Sequence, residues 1–190
     1  THPVSMDPST GIMYVSSNMG CSAGLVAPGP ENDAADDPYT TGTTIVDWVR
    51  GPGGRLNGPQ GLPIFKPPYS RVTAVDMNTG EHLWWVPSGQ PAARIANHPA
   101  LAGVDLSRAG GGGPAISMVM GDLLVMSDGG RGEAVIHGVN KRTGDRIGTV
   151  ELPATGQYGM MTYLHDDKQY VVVQIGGSQH PSGLVALTLP

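Results

Sequence analysis

Residues 75–84 read Val75-Asp76-Met77-Asn78-Thr79-Gly80-Glu81-His82-Leu83-Trp84, and the same frame returns without gaps at residues 139–148 as Val139-Asn140-Lys141-Arg142-Thr143-Gly144-Asp145-Arg146-Ile147-Gly148. The shared frame is an apolar residue, Asp or Asn, two variable residues, Thr-Gly, two polar residues and an apolar residue. The Asp or Asn side chain can cap a tight turn, the Thr can bond back to that turn, and the Gly supplies a positive φ. The frame therefore predicts the same β-hairpin turn at two places in the chain.

Strand-like stretches surround these turns and come in pairs, each pair flanking a tight polar turn. The pairs are 71–76 with 82–86, 115–119 with 123–127, 134–139 with 146–151, and 161–165 with 169–175, and single strands are predicted at 12–17 and 184–189. No stretch of ten or more residues keeps a 3.6-residue period, and residues 97–108 are a candidate for one helical turn. The sequence predicts an all-β chain with at least nine strands and no helix longer than two turns.

Four antiparallel strands per unit, repeated in line, are typical of the blades of a β-propeller. The chain holds about three such units, whereas a closed propeller needs roughly four to eight. We therefore expect the remaining blades to come from elsewhere, because missing neighbours would leave apolar blade faces in water. Trp84 is predicted to pack between neighbouring blades and Trp85 to pack against a loop, with a ligand-stacking platform as the alternative.

Composition and charge exclude several classes of protein. Glycine (29 residues) and proline (17 residues) make up close to a quarter of the 190 residues, which rules out a helical bundle. A net charge of −5 argues against nucleic-acid binding, because a nucleic-acid interface needs a basic stripe. The single cysteine, Cys21, excludes an internal disulfide and a cysteine zinc cluster, and we interpret it as an inert packing residue rather than a catalytic thiol.

Residues 19–70 interrupt the strand pattern with a long Pro/Gly-rich stretch. Its one strand-like piece lies at 43–49, and its acidic run lies at 31–37. A long loop in a compact domain is usually functional or disordered, and apolar anchors favour an ordered excursion over one face of the blades. The acidic run lacks the spacing of a calcium loop, so a solvated loop is preferred to a cation site.

Few residues in the chain suggest chemistry. The run Gly110-Gly111-Gly112-Gly113-Pro114 precedes a predicted first strand of a blade, where bare backbone would let a flat ligand approach closely. A flexible linker between blades explains the run equally well. Of the histidines, His82 and His137 are predicted to be structural, His165 to lie at a solvated turn, and His180 to lie in an exposed polar loop.

The motifs together resemble a known family. Residues 66–84 resemble the tryptophan-docking repeats of dehydrogenases that depend on pyrroloquinoline quinone (PQQ), and residues 160–190 resemble their last blade. The order of these elements is most similar to the C-terminal part of the membrane-bound glucose/quinate/shikimate dehydrogenase group. The chain begins at Thr1 without an initiator methionine, so we expect it to be part of a longer or processed polypeptide. The resemblance implies that residues 1–190 are the C-terminal portion of a longer propeller, with the excursion at 19–70.

The resemblance implies an eight-bladed propeller that holds PQQ with a divalent metal, usually calcium, on its axis. It implies oxidation of an alcohol, polyol or sugar hydroxyl by hydride transfer to PQQ, with electrons passed to ubiquinone or a cytochrome. It also implies a periplasmic protein attached to the inner membrane through an N-terminal part outside these residues, and the remaining blades in the same or a partner chain. A non-catalytic propeller that acts as a binding or assembly scaffold is the alternative.

The resemblance also carries over a few residues. The segment before the penultimate blade matches Gly111, Gly112 and Gly113, which are therefore candidate cofactor-binding residues through their main chain. His180 matches a histidine near the quinone acceptor. Gly148 occupies the position at which the family usually has the docking tryptophan, so we expect a weaker contact between that blade and its neighbour. The family's catalytic base, metal ligands and stacking tryptophan come from earlier blades, so this segment alone is predicted to be incomplete as an enzyme.

Overall fold

The computed structural model describes residues 4–28, 48–111, 113–129, 132–177 and 179–188. Within these residues there are thirteen β-strands and very little helix. The strands are β1 (Ser5–Asp7), β2 (Ile12–Asn18), β3 (Ser22–Pro28), β4 (Trp48–Arg55), β5 (Ser70–Asp76), β6 (His82–Pro87), β7 (Ile116–Met120), β8 (Leu123–Ser127), β9 (Val135–Asn140), β10 (Arg146–Glu151), β11 (Gly156–His165), β12 (Lys168–Gly177) and β13 (His180–Thr188). The helical segments are α1 (Ala93–Ala96) and the 3-10 turns Pro59–Gly61 and Pro99–Leu101. The predictions of an all-β chain and of short helices are confirmed.

The strands form antiparallel sheets in sequence order. The first blade has the strand order β1-β2-β5-β6, the second blade has the order β7-β8-β9-β10, and the third sheet has the order β11-β12-β13. Strand β7 contacts both β1 and β11, so the first strands of the three sheets lie side by side. The Ser5 hydroxyl strengthens one of these contacts, with its Oγ 2.6 Å from the Ser117 carbonyl oxygen. Four-stranded sheets arranged in this way are blades of a propeller.

The excursion differs from its prediction. The chain divides into two compact units, Thr1–Met19 with Lys66–Pro190, and Gly20–Phe65. In the second unit β3 pairs with β4 as a two-stranded antiparallel sheet. Residues 43–47 of the strand predicted at 43–49 lie outside the described residues, whereas residues 48 and 49 lie in β4. The prediction missed β3 and the rest of β4, because the ladder hydrogen bonds of the Gly-rich β4 need no apolar side-chain pattern. Residues 29–47, which include the acidic run, lie outside the described residues.

Apolar side chains fill the spaces between neighbouring sheets. The cluster between the first and second blades contains Tyr14, Val72, Ala74, Ala115, Leu124, Met126 and Val139, all essentially inaccessible to solvent. The cluster between the second blade and the third sheet contains Val125, Ile136, Leu152, Ala154, Val173 and Ile175. Each cluster excludes water from a blade interface, which is the main stabilising contribution in such stacks.

The sheets have two different ends. At the turn end lie the hairpin turns at 77–81, 121–122, 141–145 and 166–167. At the opposite end, which we call the glycine-run end, β7 begins beside the end of β8, since Ile116 pairs with Ser127. Strand β11 begins at the same end, because a Cβ on Gly156 would lie 2.4 Å from the Ser127 hydroxyl.

The two repeated turns have the predicted chemistry. In the first turn the Asp76 carboxylate accepts the Asn78 amide at 2.8 Å, and in the second the Asn140 side chain accepts the Arg142 amide at 2.9 Å. Gly80 and Gly144 have φ values of 77° and 79°, in the left-handed region that glycine occupies without strain. The interpretation of the repeat as a turn frame is confirmed.

Candidate functional site

The turn end carries a docking site between the first and second blades, built around one backbone carbonyl. The Lys141 carbonyl accepts the Tyr14 hydroxyl at 3.0 Å and the Trp84 indole N–H at 3.2 Å. The Tyr14 and Trp84 rings are tilted against each other with centroids 5.7 Å apart. Gly144 lies beneath the indole, since a Cβ there would come within 2.9 Å of the ring. The prediction that Trp84 packs between neighbouring blades is confirmed.

The Lys141 side chain adds an ion pair to the same docking site. Its Nζ lies 2.8 Å from Asp7 Oδ2, and both side chains are largely buried. The hydrogen bond from Lys141, together with those from Ser9, holds the pKa of Asp7 well below its usual range. Burial and the nearby Asp7 charge raise the pKa of Tyr14, so its hydroxyl stays protonated and available as a donor. The first blade therefore holds the turn of the second by three side chains: Asp7, Tyr14 and Trp84.

Trp85 has a separate role. The Arg108 guanidinium carbon lies 4.4 Å from the centroid of its ring, which is a cation–π contact. Arg108 belongs to the segment that connects β6 to β7, so Trp85 holds that connection against the outer strand. The prediction that Trp85 packs against a loop is confirmed.

The second docking repeat, residues 139–148, has no tryptophan equivalent to Trp84. Gly148 is exposed, and a Cβ placed on it would have no neighbour within 4 Å. The neighbouring interface depends instead on apolar packing and on the close approach of Gly156 to Ser127. The expected weakening at Gly148 agrees with this geometry.

The glycine run lies at the opposite end of the sheets, where the connection returns from β6 to β7. Gly110 has a φ of 61°, and a Cβ on it would come 2.2 Å from the Ser70 carbonyl oxygen. Gly111 has a φ of 151°, and its amide donates to the Ser88 carbonyl at 2.9 Å. Both positions need glycine because the chain passes so close to its own backbone.

These contacts limit what the run could offer a cofactor. The Gly111 amide is already used within the fold, and the space where its Cβ would lie is filled by Gln90 and Pro91. Gly113 has a φ of 115°, a backbone conformation that favours glycine. Gly112 lies outside the described residues. Cofactor contacts at Gly111, Gly112 and Gly113 stay a prediction.

His180 lies at the same glycine-run end, as the first residue of β13 directly after the turn from β12, and not in the exposed polar loop that the sequence predicted. Its side chain is half-buried, and Nδ1 lies 2.7 Å from the Pro181 carbonyl oxygen. The turn is anchored to β11, because Thr155 and Gln157 donate to the Gly176 carbonyl at 2.8 and 2.7 Å. The structure thus brings His180 and the glycine run to one end of the sheets. A role near a quinone acceptor stays a prediction.

The other histidines fall into two groups. His137 is buried on β9, with Nδ1 2.9 Å from the Thr149 hydroxyl and Nε2 3.6 Å from the buried Asp128. His165 is exposed beside Asp166 at the turn end, as predicted. His82, predicted to be structural, is exposed at the start of β6 instead.

Sequence reasoning missed two groups of residues that the structure brings together. Lys141 occupies a variable position of the repeat, and Asp7 lies far from it in sequence, so no local pattern joins them. Asp128 directly follows β8 and His137 lies on the neighbouring strand β9, so only the pairing of these two strands brings the two residues together. Among the described residues no group of three His, Cys, Asp or Glu side chains could hold a metal ion, and no helix is long and apolar enough to cross a membrane.

The stacked four-stranded blades and the tryptophan that docks one blade on the next are features of quinoprotein-type propellers, and comparisons with known proteins agree. The family model described as PQQ, glucose/ethanol/alcohol dehydrogenase, β-propeller domain, matches residues 2–171, and the chain belongs to this family. The recognition of the family from its motifs is confirmed.

Individual relatives agree with this assignment. The quinoprotein glucose dehydrogenase A of Acinetobacter calcoaceticus is 33% identical over 137 residues, which are 70% of this chain and 17% of that protein. The glycerol dehydrogenase large subunit of Gluconobacter thailandicus is 31% identical over 119 residues, which are 62% of this chain and 16% of that protein. This chain therefore spans only about a sixth of the length of these relatives.

Solved structures show the same fold. The quinohemoprotein alcohol dehydrogenase of Comamonas testosteroni aligns with a TM-score of 0.55 and 16% identity, over 97% of this chain and 25% of that one. A europium-containing methanol dehydrogenase aligns with a TM-score of 0.51 and 19% identity, over 93% of this chain and 24% of that one. At these identities the likeness concerns the fold alone.

Proposed function

We propose that these residues are part of a PQQ-dependent dehydrogenase that oxidises the CH–OH group of an alcohol, polyol or sugar. The observation that carries the proposal is the Trp84 dock on the Lys141 carbonyl, which lies within the span matched by the family model. PQQ, when bound, supplies the two-electron acceptor for the hydride. This chain's own residues supply a wall of the propeller and the glycine-run end, where the main chain of Gly113 is proposed to approach PQQ.

The remaining blades of the propeller are the partners that this proposal requires. On the third sheet, the face turned away from the Val173 cluster is apolar and uncovered. Met161, Tyr163 and Leu184 on this face are 54%, 41% and 75% exposed. Isolated apolar residues are common on surfaces, but a continuous apolar sheet face indicates a missing partner. A further blade, in the same or a partner chain, is the occupant that continues the stack.

The finer features of the proposal follow the family. The catalytic base and the calcium ligands are proposed to lie in the other blades, because the described residues hold no group of three suitable ligands. Electrons are proposed to leave to ubiquinone or a cytochrome near His180. The protein is proposed to be periplasmic and attached to the inner membrane by a part outside these residues, since its relatives are bacterial quinoprotein dehydrogenases.

A glycine pair in the connecting segment allows a matched test in the full-length protein. Gly113 and Gly103 both have positive φ, 115° and 79°, and a Cβ on Gly103 would meet nothing within 4 Å. A change of either glycine to Ala brings backbone strain, but only Gly113→Ala is expected to weaken PQQ binding, by about tenfold, or ~1.4 kcal/mol. Reconstitution of the apoprotein with PQQ and calcium, followed by absorbance and by dye reduction with glucose, polyols and quinate, measures both binding and turnover.

The same titration separates the dehydrogenase from a scaffold. A wild-type full-length protein that takes up no PQQ would contradict the proposal and favour the non-catalytic propeller. Equal PQQ affinity in Gly113→Ala and Gly103→Ala would remove the glycine run from the cofactor site and leave the dehydrogenase assignment standing. The 190-residue segment alone is expected to give no dye reduction until the chain carrying the other blades is added.

A further inference from the structure

A cavity of about 300 Å³ lies beside the interface of the first and second blades, near the glycine-run end. The end of β6 and the segment after it form one wall, with Val86 and Gln90. The second blade forms the other, with Asp128 and His137. The volume is about ten times the ~30 Å³ that one water molecule occupies, and it reaches the lower limit of small-molecule pockets.

Two residues that line this cavity each carry a buried polar atom without a hydrogen-bond partner in the described part of the chain. Asp128 and His137 are each 2% exposed, and the unpartnered atoms are Asp128 Oδ1 and His137 Nε2. The gap of 3.6 Å between His137 Nε2 and Asp128 Oδ2 is too long for a good hydrogen bond. A buried donor and acceptor without partners cost about 1–3 kcal/mol each, so such a pair indicates a ligand that completes them.

The other nitrogen of the imidazole ring already has a partner. His137 Nδ1 is held 2.9 Å from the Thr149 hydroxyl. With Nδ1 accepting from Thr149, Nε2 carries the proton and points to the carboxylate side. The pair then presents one N–H donor and one carboxylate acceptor next to each other. A hydroxyl group satisfies both, because its oxygen accepts while its hydrogen donates.

The charges around the cavity select for a neutral ligand. Burial raises the pKa of Asp128, but the His137 side chain, the Gly89 amide and the charge of Arg146 outweigh it, so the carboxyl stays ionised at neutral pH. Two guanidinium groups, Arg108 and Arg146, and two carboxylates, Asp128 and Glu133, line the cavity. Their formal charges cancel, which leaves a site rich in donors and acceptors with no net charge.

We propose that this cavity binds a small neutral polyhydroxylated molecule, one hydroxyl of which accepts from His137 Nε2 and donates to Asp128. The ligand bridges the two blades, since Val86 and Gln90 belong to the first blade and its connection, whereas Asp128 and His137 belong to the second. The proposal does not depend on the dehydrogenase activity.

Hydrogen exchange of the full-length protein tests the site locally, with myo-inositol as the probe. In the presence of tens of millimolar myo-inositol, the amide hydrogens of peptides covering 86–90 and 128–137 are expected to exchange several-fold more slowly than without it. Betaine at the same concentration, an osmolyte without hydroxyl groups, controls for general stabilisation and should leave these peptides unchanged. Asp128→Asn is expected to abolish the protection, whereas Asp122→Asn, an exposed turn carboxylate of the same blade, should keep it.

A second variant covers the case in which Asp128→Asn does not fold. Ser107 lines the cavity from an exposed turn, so Ser107→Trp should fill the opening without touching the buried pair and should also abolish the protection. Absence of protection in the wild type would mean that the cavity holds water only, and the proposal would fall. Equal protection in the wild type and in Ser107→Trp would place the binding elsewhere and would overturn it as well.

Discussion

The shared acceptor at the blade interface leads to a specific prediction about non-additivity. The Lys141 carbonyl accepts the Tyr14 hydroxyl at 3.0 Å and the Trp84 indole N–H at 3.2 Å. Tyr14→Phe or Trp84→Phe alone removes one donor, and the carbonyl keeps the other. The double variant removes both and leaves a carbonyl at the interface without a partner. We therefore expect the double variant to lose more stability than the sum of the single variants.

The magnitudes follow from the contacts. A net hydrogen bond contributes about 0.5–1.5 kcal/mol, so Tyr14→Phe should cost about 1 kcal/mol. Trp84→Phe should cost about 1–2 kcal/mol, because it also loses part of the ring contact with Tyr14 and Gly144. An unpaired carbonyl costs about 1–3 kcal/mol, so the extra cost of the double variant should be about 1 kcal/mol or more. Trp84→Ala should cost less than the ~3–5 kcal/mol of a fully buried indole, since Trp84 is half-buried.

Equilibrium unfolding of the full-length protein in urea measures these costs as a double-mutant cycle. Trp85→Phe is the matched control, because Trp85 contacts Arg108 in the segment that connects β6 to β7. Trp85→Phe combined with Tyr14→Phe should be additive within about 0.3–0.5 kcal/mol. Additivity within the same limits for Trp84→Phe with Tyr14→Phe would refute the shared acceptor, and an unchanged midpoint for Trp84→Ala would refute the docking role.

Three further predictions use other contacts. Gly144→Ala should lower the free energy of unfolding in urea by about 1–3 kcal/mol more than Gly80→Ala does. Both glycines have a positive φ, but only Gly144 lies against the Trp84 ring. Equal losses in the two variants would contradict this packing. The pKa of Asp7 is lowered in the folded protein, so the Asp7 carboxylate stabilises the fold at pH values above its ordinary pKa of 3.8, and this stabilisation is lost as the pH falls below 3.8. The thermal unfolding midpoint of Asp7→Asn should therefore depend less on pH than that of the wild type between about pH 4 and pH 2. Parallel profiles for the two proteins would argue against the ion pair. Leu184→Ser should destabilise the full-length protein by about 1.5–3 kcal/mol if a further blade covers it, and a change within about 0.5 kcal/mol would indicate an uncovered face.

The parts of the fold that could be predicted from the sequence depend on interactions between residues close to each other in the chain. The Thr-Gly frame specified both hairpin turns, since capping by Asp76 or Asn140 and the positive φ of glycine act within a few residues. The alternation of short apolar strands then specified four-stranded blades. Trp84 could be placed between blades for the same reason: a large apolar ring at a fixed offset from a tight turn needs a partner outside its own hairpin.

Contacts between distant parts of the chain could be read only from the tertiary structure. Lys141 occupies a variable position of the repeat, yet the stacking of two blades makes its carbonyl and its ammonium the centre of the dock with Asp7 and Trp84. Asp128 directly follows the end of β8 and meets His137 because β8 and β9 pair, and no spacing in the sequence encodes that meeting. The sequence suggested that Gly110 and Gly111 expose backbone to a ligand, but in the structure these glycines allow the chain to pass close to the backbone of Ser70 and Gln90. The sequence by itself determined the hairpins and the blades through interactions within a few residues, whereas only the stacking of the blades decided which polar groups meet, because burial and pairing depend on all three sheets at once.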